Sequence, residues 1–160
     1  MFRSIGSSVL LVAMVSMGIG CQADTAGLNK AKAAYFASWT KTAHAPHTMD
    51  DLAKVSETTP DFLSFDGMSS GKTVIEGWKD FAGIWEPGMN GFVTASLTEQ
   101  KSVRTWIGSD VAITASLAHI QGEMQGGKKL DMPGHLTLGW QKINGEWKLV
   151  HEHMSLGVKE

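Results

Sequence analysis

Residues 134–160, GHLTLGWQKINGEWKLVHEHMSLGVKE, decide the fold. Residues 135–143 read as one strand and 146–155 as the next, joined by Asn144-Gly145. An Asn-Gly pair between apolar-alternating runs is a strong hairpin signal, because both central residues of a type I′ turn need positive φ. A period of two along the second strand puts Trp147, Leu149, His151, His153 and Ser155 on one face. Lys148, Val150, Glu152 and Met154 take the other. The first face is aromatic and aliphatic at one end and imidazole-rich at the other, which suits the wall of a pocket.

Upstream of the hairpin the chain from residue 92 onward is nearly all strand. Residues 111–121 are a β-branched run, and 92–98 with 102–107 form either one long bent strand or two. Before them, residues 72–85 read as a helix capped by Ser69 or Ser70, with Val74, Ile75, Trp78, Phe81, Ala82 and Trp85 at helical spacing. Pro87-Gly88 and Asn90-Gly91 mark its exit turn. Residues 61–66 make a short strand. Thr48 offers the cap of a short helix reaching about residue 57, stopped by Pro60. Residues 28–42 are alanine-rich, with Leu28, Ala31, Tyr35 and Trp39 at three- to four-residue spacing, and read as the first helix. Three helices followed by a meander of long antiparallel strands is an α+β layout, the helices segregated to one face of a curved sheet.

That order and the terminal hairpin together resemble the nuclear transport factor 2-like (NTF2-like) superfamily, in particular its SnoaL-like and ketosteroid-isomerase-like branches. The residues that carry the resemblance are Thr137, Trp140, Gly145, Trp147, Lys148, Leu149, Val150, His151, His153 and Ser155. Gly71-Lys72 followed by Ile75 and Trp78 is similar to the start of the family's third helix. The resemblance covers residues 28–157. It implies a cone-shaped fold whose sheet and helices enclose an apolar cavity, and a homodimer formed through the convex sheet face. The chain also departs from the family. His135 stands where many relatives have arginine, and the family's catalytic carboxylates and tyrosine have no obvious equivalents. Tyr35 is the only tyrosine, and Asp61 and Asp66 are the candidate carboxylates.

With 160 residues, 42% of them apolar and 19% charged, the sequence is that of one globular domain plus a leader. Arg3 precedes an apolar run of secretory-signal length that ends at Cys21, the only cysteine. Residues 1–21 are therefore expected to act as an export signal and 22–27 as a tether. Gly-Ile-Gly-Cys is similar to a bacterial lipobox, which would lipidate Cys21. The alternative is an ordinary signal peptide cut after Gly20 or Ala23. Either way the expected location is the periplasm or a membrane-anchored lipoprotein, and no disulfide can form within the chain. Loss of Arg3 from the 14 basic residues leaves 13 against 16 acidic ones, a net charge of −3. With no basic run, the charge balance argues against nucleic acid as a partner. No cofactor is expected.

The candidate ligand-binding residues are Trp39, Phe62, Trp78, Trp85, Trp106, His119, His135 and Trp140, large aromatics and imidazoles that would line or flank a cavity. Core and cavity wall is the leading reading of the tryptophans, the alternative being that two or three of them stack on a ligand. The candidate catalytic residues are His153, His151 and Asp61. On the alternating strand both histidines face the cavity with Trp147, while Lys148 and Glu152 face out. His153, nearer the strand's end, would meet the ligand, since imidazole titrates near neutral pH. His151 would be held by Asp61, Asp66 or Ser155. His44 and His47, which flank Pro46, should be solvated. Three functions are consistent with these residues: a cavity that binds a small apolar or amphipathic molecule; an isomerase, cyclase or dehydratase with a histidine acid/base; and a cupin-like metal-binding protein using His151, His153 and His119 or His135.

Overall fold

The computed structural model describes residues 24–43, 45–69 and 71–157. The leader and Cys21 lie outside them. Helix α1 (Thr25–Ser38) begins where Asp24 accepts a hydrogen bond from the Gly27 amide at 2.8 Å, a side-chain cap. It therefore starts and ends a few residues earlier than its apolar spacing suggests. Helix α2 (Asp50–Val55) follows, and its backbone cap is Met49 in place of Thr48. Strand β1 (Leu63–Asp66) pairs with β2 (Val74–Glu76), and α3 (Trp78–Asn90) comes next.

The third helix is the main departure from expectation upstream. Val74 and Ile75 are β-branched and belong to a strand, and Gly77, at φ 82°, turns the chain out of it. The helix then runs through Pro87 to Asn90 instead of stopping at Trp85. Pro87 sits in the last turns, where the missing amide costs only one hydrogen bond. Asn90 fastens this end by donating from Nδ2 to the carbonyl oxygens of His47 and Glu86, both at 2.9 Å.

Strands β3 (Phe92–Ile107), β4 (Val111–Met124), β5 (Lys129–Ile143) and β6 (Glu146–Leu156) complete a six-stranded sheet in the order β2-β1-β6-β5-β4-β3. The four long strands are antiparallel neighbours, whereas β1 lies parallel to β6. β3 is one strand, bent where its register shifts between Glu99 and Lys101 and between Ser102 and Arg104. The β5–β6 turn has both central residues at positive φ, Asn144 at 52° and Gly145 at 85°, as read from the sequence. The helices cover one face. Leu28, Tyr35, Trp39, Leu52 and Phe81 pack there against Leu136, Leu138, Trp140, Trp147 and Leu149 of the sheet. Trp140 is fully buried and donates from Nε1 to Thr114 at 3.1 Å.

The terminal hairpin contains an irregularity that decides what faces the core. Gly139 pairs with His151 but the next residue, Trp140, pairs with Leu149, so Val150 is an extra residue on β6. A Cβ at Gly139 would sit 3.1 Å from the His151 Cβ, a tight contact that a side chain could make only if His151 gave way by a few tenths of an ångström. Beyond the bulge the alternation of β6 reverses. Trp147 and Leu149 are buried before it; Glu152 and Met154 are buried after it.

Candidate functional site

The reversal overturns the expected wall of the cavity. His153 is exposed, and His151 is half-buried on the outer sheet face with its Nδ1 3.0 Å from the Leu63 carbonyl oxygen. Both imidazoles lie edge-on to Phe65 on that outer face. Glu152, expected to face solvent, points inward and is 3% exposed. A one-residue bulge moves every later side chain to the opposite face.

A cavity of about 50 Å³ lies between the helices and the concave sheet, room for a few water molecules. α1 contributes Tyr35 and Trp39, α3 contributes Trp85 and Met89, and β1 and the turn after it contribute Asp66 and Met68. The sheet supplies Leu97, Ile120, Leu130, Glu152 and Met154. Almost all of this lining is apolar, and its three methionines can change rotamer to admit a larger guest.

Three buried polar side chains, Tyr35, Glu152 and Asp66, interrupt the apolar wall. The Tyr35 hydroxyl donates to Glu152 Oε2 at 2.8 Å, both groups being fully buried. Burial pushes the Glu152 carboxyl from an ordinary 4.5 up to about 8, with the hydrogen bond from Tyr35 opposing and the charge of Asp66 reinforcing the shift. Glu152 is therefore a neutral carboxylic acid at pH 7. Burial likewise raises the Tyr35 hydroxyl well above its usual value, helped by Glu152. Asp66, 2% exposed, accepts from the amides of Met68 at 2.6 Å and Ser69 at 3.2 Å through Oδ1. Its Oδ2 is buried without a partner among the described residues, as are the indole nitrogens of Trp39 and Trp85. Burial raises the Asp66 carboxyl, and the two amides and the Trp85 indole hold it back. Unpartnered buried polar atoms each cost about 1–3 kcal/mol, so their concentration in one small cavity makes it the candidate site for a guest that satisfies them, water included.

The other sequence candidates are dispersed. Trp39 and Trp85 do line the cavity and stand 5.3 Å apart, edge to face. Phe62 is core, packed against Trp78 and Phe81. Trp78 is half-buried beside them and lies away from the cavity, and Trp140 belongs to the core beneath. Trp106 is 56% exposed on β3. His135 is exposed, and His119 pairs with Asp131 at 2.6 Å on the outside of the sheet. Asp61 is exposed in the turn before β1. His47 is buried, stacked on Trp39, where solvent was expected. His44 lies outside the described residues. Among the described residues no three His, Cys, Asp or Glu side chains come together to hold a metal ion. Glu152 was missed because strict alternation places it outside. The available signal was Gly139, since a glycine inside a strand pattern often marks a bulge.

The SnoaL-like domain profile matches residues 33–159. The chain belongs to the SnoaL-like domain family. Solved structures agree on the NTF2-like fold. An NTF2-like superfamily protein from Salmonella enterica serovar Typhimurium is 18% identical at a TM-score of 0.65, covering 84% of this chain and 89% of its own. A protein from Shewanella frigidimarina, provisionally named a ketosteroid isomerase, is 22% identical at a TM-score of 0.61, covering 85% and 98%. A protein of the NTF2-like family from Streptomyces avermitilis, provisionally named a dehydratase, is 12% identical at 0.68, covering 84% and 96%. Among curated proteins none matches the sequence. In this SnoaL-like domain the titratable groups that line the cavity are carboxyls and a phenol in place of the expected histidines.

Proposed function

We propose that this SnoaL-like domain binds a small, largely apolar molecule between α1, α3 and the sheet and moves a proton on it, in a step of isomerase or dehydratase type. One observation carries the reading: Glu152 is fully buried in an apolar cavity, pushed up to about 8, with Tyr35 fixing one of its oxygens. A carboxylic acid that keeps its proton at pH 7 can deliver it to a substrate oxygen and, as the resulting carboxylate, take the proton released from the neighbouring carbon, and catalytic acids work best with a pKa near the working pH. Tyr35 acts as a positioning residue, and Asp66 offers an unpartnered acceptor to the substrate. The provisional names of the Shewanella and Streptomyces proteins fit this class of chemistry. Binding without turnover is the other reading, favoured by the small volume of the cavity.

Two small ketones separate them. Hydrogen exchange of cyclohexanone in D2O reports enolisation, and 3-hydroxycyclohexanone losing water to give cyclohexenone reports dehydration. The wild type is expected to accelerate at least one, with the rate falling as pH rises through about 8. Glu152→Gln should lose roughly 100-fold or more, and His153→Ala, altered on the outer face, should lose nothing. Binding of both ketones with neither reaction accelerated would leave a binding protein. The leader-like residues 1–21 support placing the domain at the envelope of a bacterium, anchored at Cys21 or free in the periplasm. The exposed apolar side chains of the outer sheet face, Ile113 and Leu117 among them, support a second copy of the chain as its cover.

A further inference from the structure

Asp66 Oδ2 and Trp85 Nε1 are opposite in kind: one can only accept a hydrogen bond and the other can only donate. Both atoms are buried and line the same cavity, and the indole lies near enough to the carboxyl to lower its pKa, yet neither makes a hydrogen bond of ordinary geometry among the described residues. The loop after β1 prevents the carboxyl from turning away, because Oδ1 is committed to the amides of Met68 and Ser69. Trp85 is held by its edge-to-face contact with Trp39. Among the described residues no Lys or Arg lines the cavity, so nothing there recommends an anionic guest.

A hydroxyl is the simplest group that satisfies both atoms at once, donating to Asp66 and accepting from Trp85. A carbonyl or ether oxygen would satisfy only the indole, and an ammonium only the carboxylate. From this pairing we infer that Asp66 and Trp85 form a hydroxyl-binding clasp, and that the ligand is an apolar alcohol, enol or phenol. The inference rests on the cavity being a ligand site, as proposed above, and names the class of molecule that site takes. Glu152 and Tyr35 then lie on the β6 side of the same guest, where its second functional group would sit.

Three probes of one size separate the possibilities: benzyl alcohol, benzaldehyde and toluene, offering respectively a donor with an acceptor, an acceptor alone, and neither. Each is titrated into the protein while the indole N–H signals are followed by 1H–15N NMR, the Trp85 signal being identified by its loss in Trp85→Phe. Benzyl alcohol should bind at least tenfold more tightly than toluene and shift the Trp85 signal, with benzaldehyde between them. Trp85→Phe should reduce that preference. Asp66→Asn gives the sharper result. Its oxygen keeps the two loop amides, so its Nδ2 takes the place of Oδ2 and faces the guest as a donor beside the Trp85 indole. The preference should then invert, benzaldehyde binding more tightly than benzyl alcohol, which a merely destabilised cavity would not produce. Equal binding of toluene and benzyl alcohol to the wild type overturns the clasp and leaves the proton-transfer reading standing, since the ketone reactions test that separately. An unchanged alcohol preference in Asp66→Asn also overturns the clasp. If none of the three probes perturbs any cavity residue, both the clasp and the cavity as a ligand site are overturned.

Discussion

Glu152 keeps its proton because the alternative, a carboxylate facing leucine, methionine and tryptophan, gives up hydration that one phenol cannot replace. The unfolded chain releases that proton near 4.5, while the folded chain holds it to about 8. Between those values folding takes up a proton, so stability falls as pH rises, by roughly 1.4 kcal/mol per unit from this group alone. Glutamine has the same shape, accepts the same hydrogen bond from Tyr35 and does not titrate. Glu152→Gln is therefore expected to melt higher than wild type at pH 8.5 and about equally at pH 5. Urea midpoints measured across that range would show the two curves converging on the acid side. Parallel curves would mean that Glu152 carries its charge in the folded state.

At the scale of elements the decisive feature is the bulge at Val150, which turns Glu152 inward and both histidines outward. Gly139 lies opposite it, and a Cβ there would come within 3.1 Å of the His151 Cβ. Gly139→Val should force the strands apart and cost about 1–3 kcal/mol as overpacking, measured by chemical denaturation. Full stability in that variant would show that the bulge tolerates a side chain. The same feature explains what could be read in advance. The hairpin was legible because Asn144-Gly145 is a local signal tied to one backbone geometry. The inner residues of β5, Leu136, Leu138 and Trp140, were legible because that strand alternates without interruption. The far end of β6 was not, because an inserted residue leaves composition and spacing almost unchanged while reversing every direction after it. β2 escaped for another reason. Val74 and Ile75 fit a helical spacing that begins only at Trp78, and the chirality-breaking Gly77 between them was the clue.

For the whole molecule, the helices cover the concave face and leave a convex one bearing Phe65, Ile113 and Leu117 beside His135, His151 and His153. Contiguous exposed apolar side chains on a sheet are normally covered by a partner. Sedimentation at tens of micromolar is expected to give a dimer, and Leu117→Glu, whose charge would be buried against the second copy, a monomer with an unchanged circular-dichroism spectrum. A monomeric wild type would refute that arrangement. The proposed function rests on the cavity on the other face, where bulge and burial converge on the Glu152 proton. A 13C NMR titration of the Glu152 side-chain carboxyl from pH 3 to pH 10 reads that proton directly. The predicted midpoint is about 8; a midpoint near the ordinary 4.5 would mean that Glu152 is a solvated carboxylate, and that the cavity holds no acid for a substrate to use.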